Sequence, residues 1–116
     1  MPRLESERLQ LLPRHLEMVR QILGRHVADA EVWAYGSRVA GDSYEASDLD
    51  LVLRTPTAPE QPDLRLGALR EAFVDSNLPI IVQVVDWARI PEAFRREIEA
   101  GYVVVQGAIA ETPYRA

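Results

Sequence analysis

The chain contains no cysteine and no lysine: all 13 of its Lys and Arg positions are arginine. Without thiols there can be no disulfide and no thiolate metal site, which fits work in a reducing, cytoplasmic setting. Without lysine, no amine nucleophile or lysine base is available. The arginines are scattered and read as coding bias rather than chemistry. Long apolar runs are missing too. None approaches the ~20 residues of a membrane span, and the charged opening MPRLESERLQ predicts no cleavable leader. A formal net charge of −5, with no basic strip interleaved with aromatics, argues against stable nucleic-acid binding and against template-directed polymerisation. At 116 residues there is room for a core but none for a second, RNA-holding domain, so residues 1–116 are expected to form a single domain.

What is present alternates between helix and strand signals. LLPRHLEMVRQILGRHV places Leu16, Val19, Leu23 and Val27 at helical spacing, with Pro13 suited to a first turn. AEVWAY and SDLDLVLR read as strands, with room between them for one short helix and a turn. TPTAPEQPD, with three prolines, reads as a loop. LRLGALREAFVDSN is apolar at Leu66, Leu69, Phe73 and Val74 and reads as a helix. PIIVQVVDW reads as a strand whose near-continuous apolar character predicts burial on both faces. A last helix starts near Pro91 and stops at Gly101, followed by a short β-like tail. The outline is an α/β sandwich, with strand order and direction left open.

The chemistry concentrates in WAYGSRVAGDSYEASDLDLVL, residues 33–53. In a strand, residues i and i+2 share a face, so Asp48 and Asp50 project together while Leu49, Leu51 and Leu53 line the other side. Two carboxylates this close repel unless a positive charge sits between them. Oxygen-only ligands favour Mg²⁺ or Mn²⁺. Just upstream, Gly36 lets backbone approach a phosphate, and Ser37 offers a hydroxyl and an amide. A Gly-Ser turn alone is weak evidence, and an Asp-x-Asp pair alone can be a strand end in solvent. Together, between two apolar strands, they point to a metal-bound nucleoside triphosphate.

The motif GSRVAGDSYEASDLDLVL resembles the signature of the DNA polymerase beta-type nucleotidyltransferase superfamily, and most closely its smallest branch, the minimal nucleotidyltransferases. The resemblance continues through LPIIVQVVDWARIPEAFRREIEAGYVVV. It implies an α/β (α+β) fold with a small mixed sheet backed by helices. It implies that Gly36 and Ser37 bind the triphosphate and that Asp48 and Asp50 are catalytic and hold Mg²⁺ or Mn²⁺. Many such proteins pair with a HEPN-domain partner as the antitoxin of a toxin–antitoxin system, and some transfer AMP from ATP to a tyrosine of that partner.

One position departs from the family. The resemblance implies a third carboxylate on the strand after the central helix, completing a two-metal site with ions ~3.5–4 Å apart. The family pattern there is roughly Val-Asp-Val-Val-Asp-Trp, whereas this chain reads VQVVDW and has Gln83. A glutamine carries no charge for a second cation and is no general base. Asp86 lies three residues on and faces the other side of a regular strand, so only a bulge would bring it round; otherwise it is a helix-start or surface residue. Gln83 is expected to weaken turnover more than binding. The alternative is a catalytically impaired, nucleotide-binding antitoxin that neutralises its partner by contact.

The remaining candidates are read as follows. Arg38 either reaches a phosphate or holds the loop through a carboxylate. Ser47 either bonds the loop backbone or touches a phosphate. Asp42 and Glu45 belong to a solvated loop. His15 and His26 read as surface residues, and Trp33 and Tyr35 as core, with an aromatic near the site able to touch a base. Arg95 and Arg96, beside Glu97 and Glu99, read as a solvated helix face.

Overall fold

The computed structural model describes residues 3–41 and 47–107. Helix α1 spans Pro13–His26, with proline in its first turn, where the missing N–H costs nothing. It buries Val19, Ile22 and Leu23. Strand β1 (Glu31–Tyr35) leads into the single-turn helix α2 (Ser37–Ala40), and β2 covers Leu49–Arg54. After the proline-rich loop come α3 (Leu66–Val74) and β3 (Val82–Asp86). A 3-10 turn at Trp87–Arg89, α4 (Glu92–Glu99) and β4 (Val103–Gln106) follow. Asp48 sits one residue before β2 rather than inside it.

The four strands form one mixed sheet in the order β3-β2-β1-β4. β1 runs antiparallel to β2 and β4, and β2 runs parallel to β3. The expected fold class, a small mixed sheet backed by helices, is what forms. The short tail is a full strand, β4, closing one side of the sheet against β1.

Alternation along the strands separates two apolar clusters. On one face Val32, Ala34, Leu49, Leu51, Leu53, Val84, Val103 and Val105 pack with α1 and α3. On the other, Trp33 and Val52 pack with Trp87 and Ile98, flanked by Tyr35, Val85, Phe94, Tyr102 and Val104. Trp33 stacks on Tyr102 at 3.9 Å and meets Trp87 edge-on at 5.4 Å, as quadrupolar rings prefer.

Three sequence expectations need correction. β3 is an edge strand, so its apolar run is only partly buried: Val84 is buried, Val85 half-buried, and Ile81 just ahead of it is 66% exposed. Val74, assigned to the buried stripe of its helix, is 80% exposed at the end of α3, one position off the face that buries Leu66, Leu69 and Phe73. Arg95 is not simply solvated. Its guanidinium donates to both carboxylate oxygens of Glu60 at 2.9 and 3.1 Å and to the Trp87 carbonyl at 2.9 Å, while lying over the Trp87 ring. Among the described residues, no helix is long and apolar enough to cross a membrane.

Candidate active site

The sheet register builds the site. Asp50 lies opposite Tyr35 on β1 and opposite Gln83 on β3, so three side chains of different chemistry share one row across the sheet. All three belong to the face that α1 and α3 leave uncovered. Asp48, two residues earlier, joins them: the Gln83 side-chain amide donates to Asp48 Oδ2 at 2.7 Å. Gln83, at the position where the resemblance implies a third carboxylate, is thus a neutral donor bound to Asp48.

Gly36 shapes the site from the other side. It adopts φ 84° and ψ −155°, open to glycine and costly for a residue with a side chain. A Cβ placed there would meet Asp50 Oδ2 at 2.6 Å. The glycine therefore admits the Asp50 carboxylate against the turn, a close approach the sequence reading had assigned only to phosphate. Its carbonyl accepts the Val39 and Ala40 amides, starting α2 at Ser37.

Electrostatics follow from that crowding. Burial first, and then the nearby Asp48 charge, push the Asp50 carboxyl above its ordinary pKa. Burial, reinforced by the Asp50 charge, pushes the Tyr35 phenol up to about 12, so it stays a neutral hydroxyl. A half-buried carboxylate crowded by a second negative charge is an arrangement that suits a cation. Asp48 and Asp50 are the carboxylates available to a divalent ion here; among the described residues no group of three or more His, Cys, Asp or Glu offers a fuller cage.

Arg38 is 7% exposed. Its Nε donates to the Ser47 carbonyl at 3.1 Å and its Nη1 to the Gln10 carbonyl at 2.5 Å. Among the described residues, the loop-holding alternative is visible in these two contacts to carbonyls. Ser47, also buried, contributes its backbone to that contact. Ser37 is half-buried at the start of α2. Asp42 and Glu45 lie outside the described residues.

Asp86 does not come round to the site. The β2–β3 register is continuous from Leu49↔Val82 to Leu53↔Asp86, without a bulge. Its carboxylate is 4% exposed, accepting from the Asp63 amide at 2.7 Å and the Ala88 amide at 3.1 Å. It starts the turn at Trp87, and it is buried, not a surface residue. His15 and His26 stand on α1, half-buried and away from this row.

Sequence reasoning missed two things. One is the Gln83–Asp48 bond, which only the β2–β3 register reveals. The other is the pairing of Tyr35 with Asp50; its signal was available, since a tyrosine just before a glycine turn between two antiparallel strands lands opposite the start of the second.

The comparisons with known proteins agree with this geometry. A family model described as a nucleotidyltransferase domain matches residues 16–106. The chain is also 42% identical over 100 residues, 84% of each chain, to the "Probable protein adenylyltransferase MntA" of Haemophilus influenzae.

Proposed function

Because the chain belongs to the nucleotidyltransferase domain family, we propose that it transfers AMP from ATP to a hydroxyl of a partner protein, with Asp48 and Asp50 holding the required Mg²⁺ or Mn²⁺. The observation carrying this reading is the convergence of Asp48 and Asp50 on one side of the sheet, with Asp50 against the Gly36 turn. Such a cation would neutralise triphosphate charge and help fix the phosphates for displacement.

The rest falls to the chain's own groups. The Gly36–Ser37 turn, with its backbone amides and the Ser37 hydroxyl, receives triphosphate oxygens. Arg38 ties α2 to the Ser47 carbonyl just ahead of β2. The acceptor oxygen forms a bond to the α-phosphorus, the bond to pyrophosphate breaks, and the hydroxyl proton passes to a site carboxylate or to water. The 42%-identical relative is named as a probable protein adenylyltransferase, which supports a protein acceptor. The small chain has little surface of its own for an acceptor, and a HEPN-domain toxin is the partner the minimal nucleotidyltransferase resemblance supports, with this chain as its antitoxin.

A second reading rests on Gln83. Its amide donates to Asp48 in place of a third carboxylate, so the site holds one cation well and a second poorly. The domain would then bind nucleotide, turn over slowly and neutralise its partner chiefly by contact.

Co-expression with the HEPN partner, read by intact mass, tests both. Transfer appears as the mass of AMP on the partner and disappears in Asp48→Asn and Asp50→Asn. Gln83→Asp is expected to raise transfer roughly 10- to 100-fold. Fast transfer by the wild type that Gln83→Asp leaves unchanged would sink the account of Gln83. Equal transfer by the Asp48→Asn, Asp50→Asn double variant would sink the site.

A further inference from the structure

β3 is an outer strand of the sheet, so one of its edges faces no neighbouring strand. Which backbone groups point that way is fixed by the Leu49 amide, which donates to the Ile81 carbonyl at 2.9 Å, and by the continuous β2–β3 register. Gln83 and Val85 turn their backbone groups toward β2, and Val82 and Val84 turn theirs outward. Arg70 on α3 already holds the Val84 carbonyl, donating from Nε at 3.0 Å and from Nη2 at 2.7 Å. Among the described residues, no hydrogen bond is made to the Val82 amide or carbonyl. We infer that this opening is where the acceptor segment of the partner protein docks, as an extended strand added beside β3. The inference rests on the transfer reading above and supplies the route by which an acceptor reaches the site.

The opening is level with the chemistry. Val82 and Val84 flank Gln83, which ends the row of Tyr35, Asp50 and Gln83 across the sheet. Strands lie about 4.8 Å apart, so a residue facing Gln83 in an added strand stands two spacings, roughly 10 Å, from Asp50, within reach of a long side chain. Its two neighbours in that strand point to the other face. There a groove of about 360 Å³ runs from Phe73 and Val74 at the end of α3 to Val82, and every residue lining it is apolar. Val82 thus offers ladder bonds, which give a strand-adding peptide its affinity, and the groove takes an alternate side chain, which gives specificity.

Arg70 and the acidic pair narrow the choice of occupant. Pairing two copies of this chain through β3 over more than one residue would need the Val84 carbonyl, and Arg70 holds it. A charged side chain on an edge is a common guard against open-ended pairing. The stretch left open is short and ends beside Gln83, which suits a brief segment of a different protein. Asp48 and Asp50 lie at its point of entry, so the complementary segment carries its hydroxyl on the site face, an apolar residue on the other, and no carboxylate beside the hydroxyl.

Amide hydrogen exchange of the full chain, read residue by residue by NMR with and without saturating purified HEPN-domain partner, tests this docking. The Val82 amide is expected to exchange at least about tenfold more slowly in the complex, whereas the Gln83 amide, turned toward β2, is protected in both states. Val82→Pro removes the outward donor without touching the β2 ladder, and edge strands tolerate proline. It should raise the KM for the partner roughly tenfold, with an unchanged Mg²⁺–ATP affinity reporting an intact fold. Val74→Asp, which puts a charge at the rim of the groove, should act in the same direction. If Val82→Pro does not fold, the exchange measurement and Val74→Asp decide. A Val82 amide that exchanges equally fast in the complex, or a wild-type KM in both variants, overturns strand docking while transfer stands. Protection of Val82 that grows with the concentration of the chain alone gives the edge to a second copy and overturns it too. If the wild type neither binds the partner nor transfers AMP to it, the transfer reading falls, and the docking with it.

Discussion

Gly36 and Asp50 are best considered as one unit, since the space denied to a side chain at the first is taken by the carboxylate of the second. Gly36→Ala should therefore combine backbone strain of about 1–3 kcal/mol with displacement of Asp50. A lower melting temperature together with lost Mg²⁺–ATP binding is expected; a variant that melts and binds like the wild type would refute the coupling. Asp50 itself is held against its ionisation preference by burial and by Asp48. A folded-state pKa above the unfolded value means that the ionised form costs stability near neutral pH, a cost relieved as the group is protonated. Asp50→Asn should thus raise the melting temperature of the metal-free protein by a few degrees while removing the further rise that Mg²⁺ gives the wild type. A thermal shift series with and without Mg²⁺ measures both effects, and a destabilised metal-free variant would contradict the electrostatic account. The Asp pair and the Gly-Ser turn were legible from residue types and spacing. Their contact was not, because it depends on which residue of β1 faces which residue of β2.

The strands and turns show the same division between local pattern and pairing. Pro13, Gly101 and the proline-rich stretch mark boundaries by backbone chemistry alone, and the helices and loop fall where those residues place them. β3 misled because a continuous apolar run looks the same in a central strand as in an edge strand with a cluster on each face. Asp86 misled for a related reason. Its position predicts the start of a turn, but its burial comes from the Asp63 amide, 23 residues away in sequence. With Oδ1 committed to Ala88 and Oδ2 to Asp63, Asp86→Ala would leave two part-buried amides without these acceptors. The expected loss is about 2–4 kcal/mol in urea unfolding, with Asp86→Asn intermediate because it keeps one acceptor. An alanine variant within about 0.5 kcal/mol of wild type would show that the cap carries little.

At the scale of the whole molecule, arginines stand in for the missing lysines as ties between distant segments. Arg95 joins α4 to the proline-rich loop through Glu60, and Arg65 holds Asp63 at 2.8 Å and Asp29 at 2.7 Å. Planar guanidinium forks suit these paired contacts better than an ammonium would. The bond from Arg95 holds the Glu60 carboxyl below its ordinary pKa, and the bond from Arg65 does the same for Asp63. A depressed carboxylate pKa contributes stability present above the unfolded value and lost as pH falls through the folded one. The loop should therefore loosen in acid before the sheet does. Pepsin cleavage within residues 55–62 is expected to rise as pH drops from about 5 to about 3, and Arg95→Ala should bring the same cutting at the upper end of that range. Cleavage that is independent of pH and of Arg95 would argue that prolines, not charges, set the loop.

By itself the sequence determined the alternation of helices and strands, the class of fold and the acidic pair with its Gly-Ser turn. These depend on backbone preferences and on periodicities of a few residues, and both are local. Tertiary structure alone decided that Gln83 hydrogen-bonds Asp48, that Asp86 serves the loop instead of the site, and that Arg70 holds the outward Val84 carbonyl of β3. Each of those facts joins segments through strand register or helix docking. The free energy that selects them comes from burying the whole two-faced sheet, which no short window of residues contains.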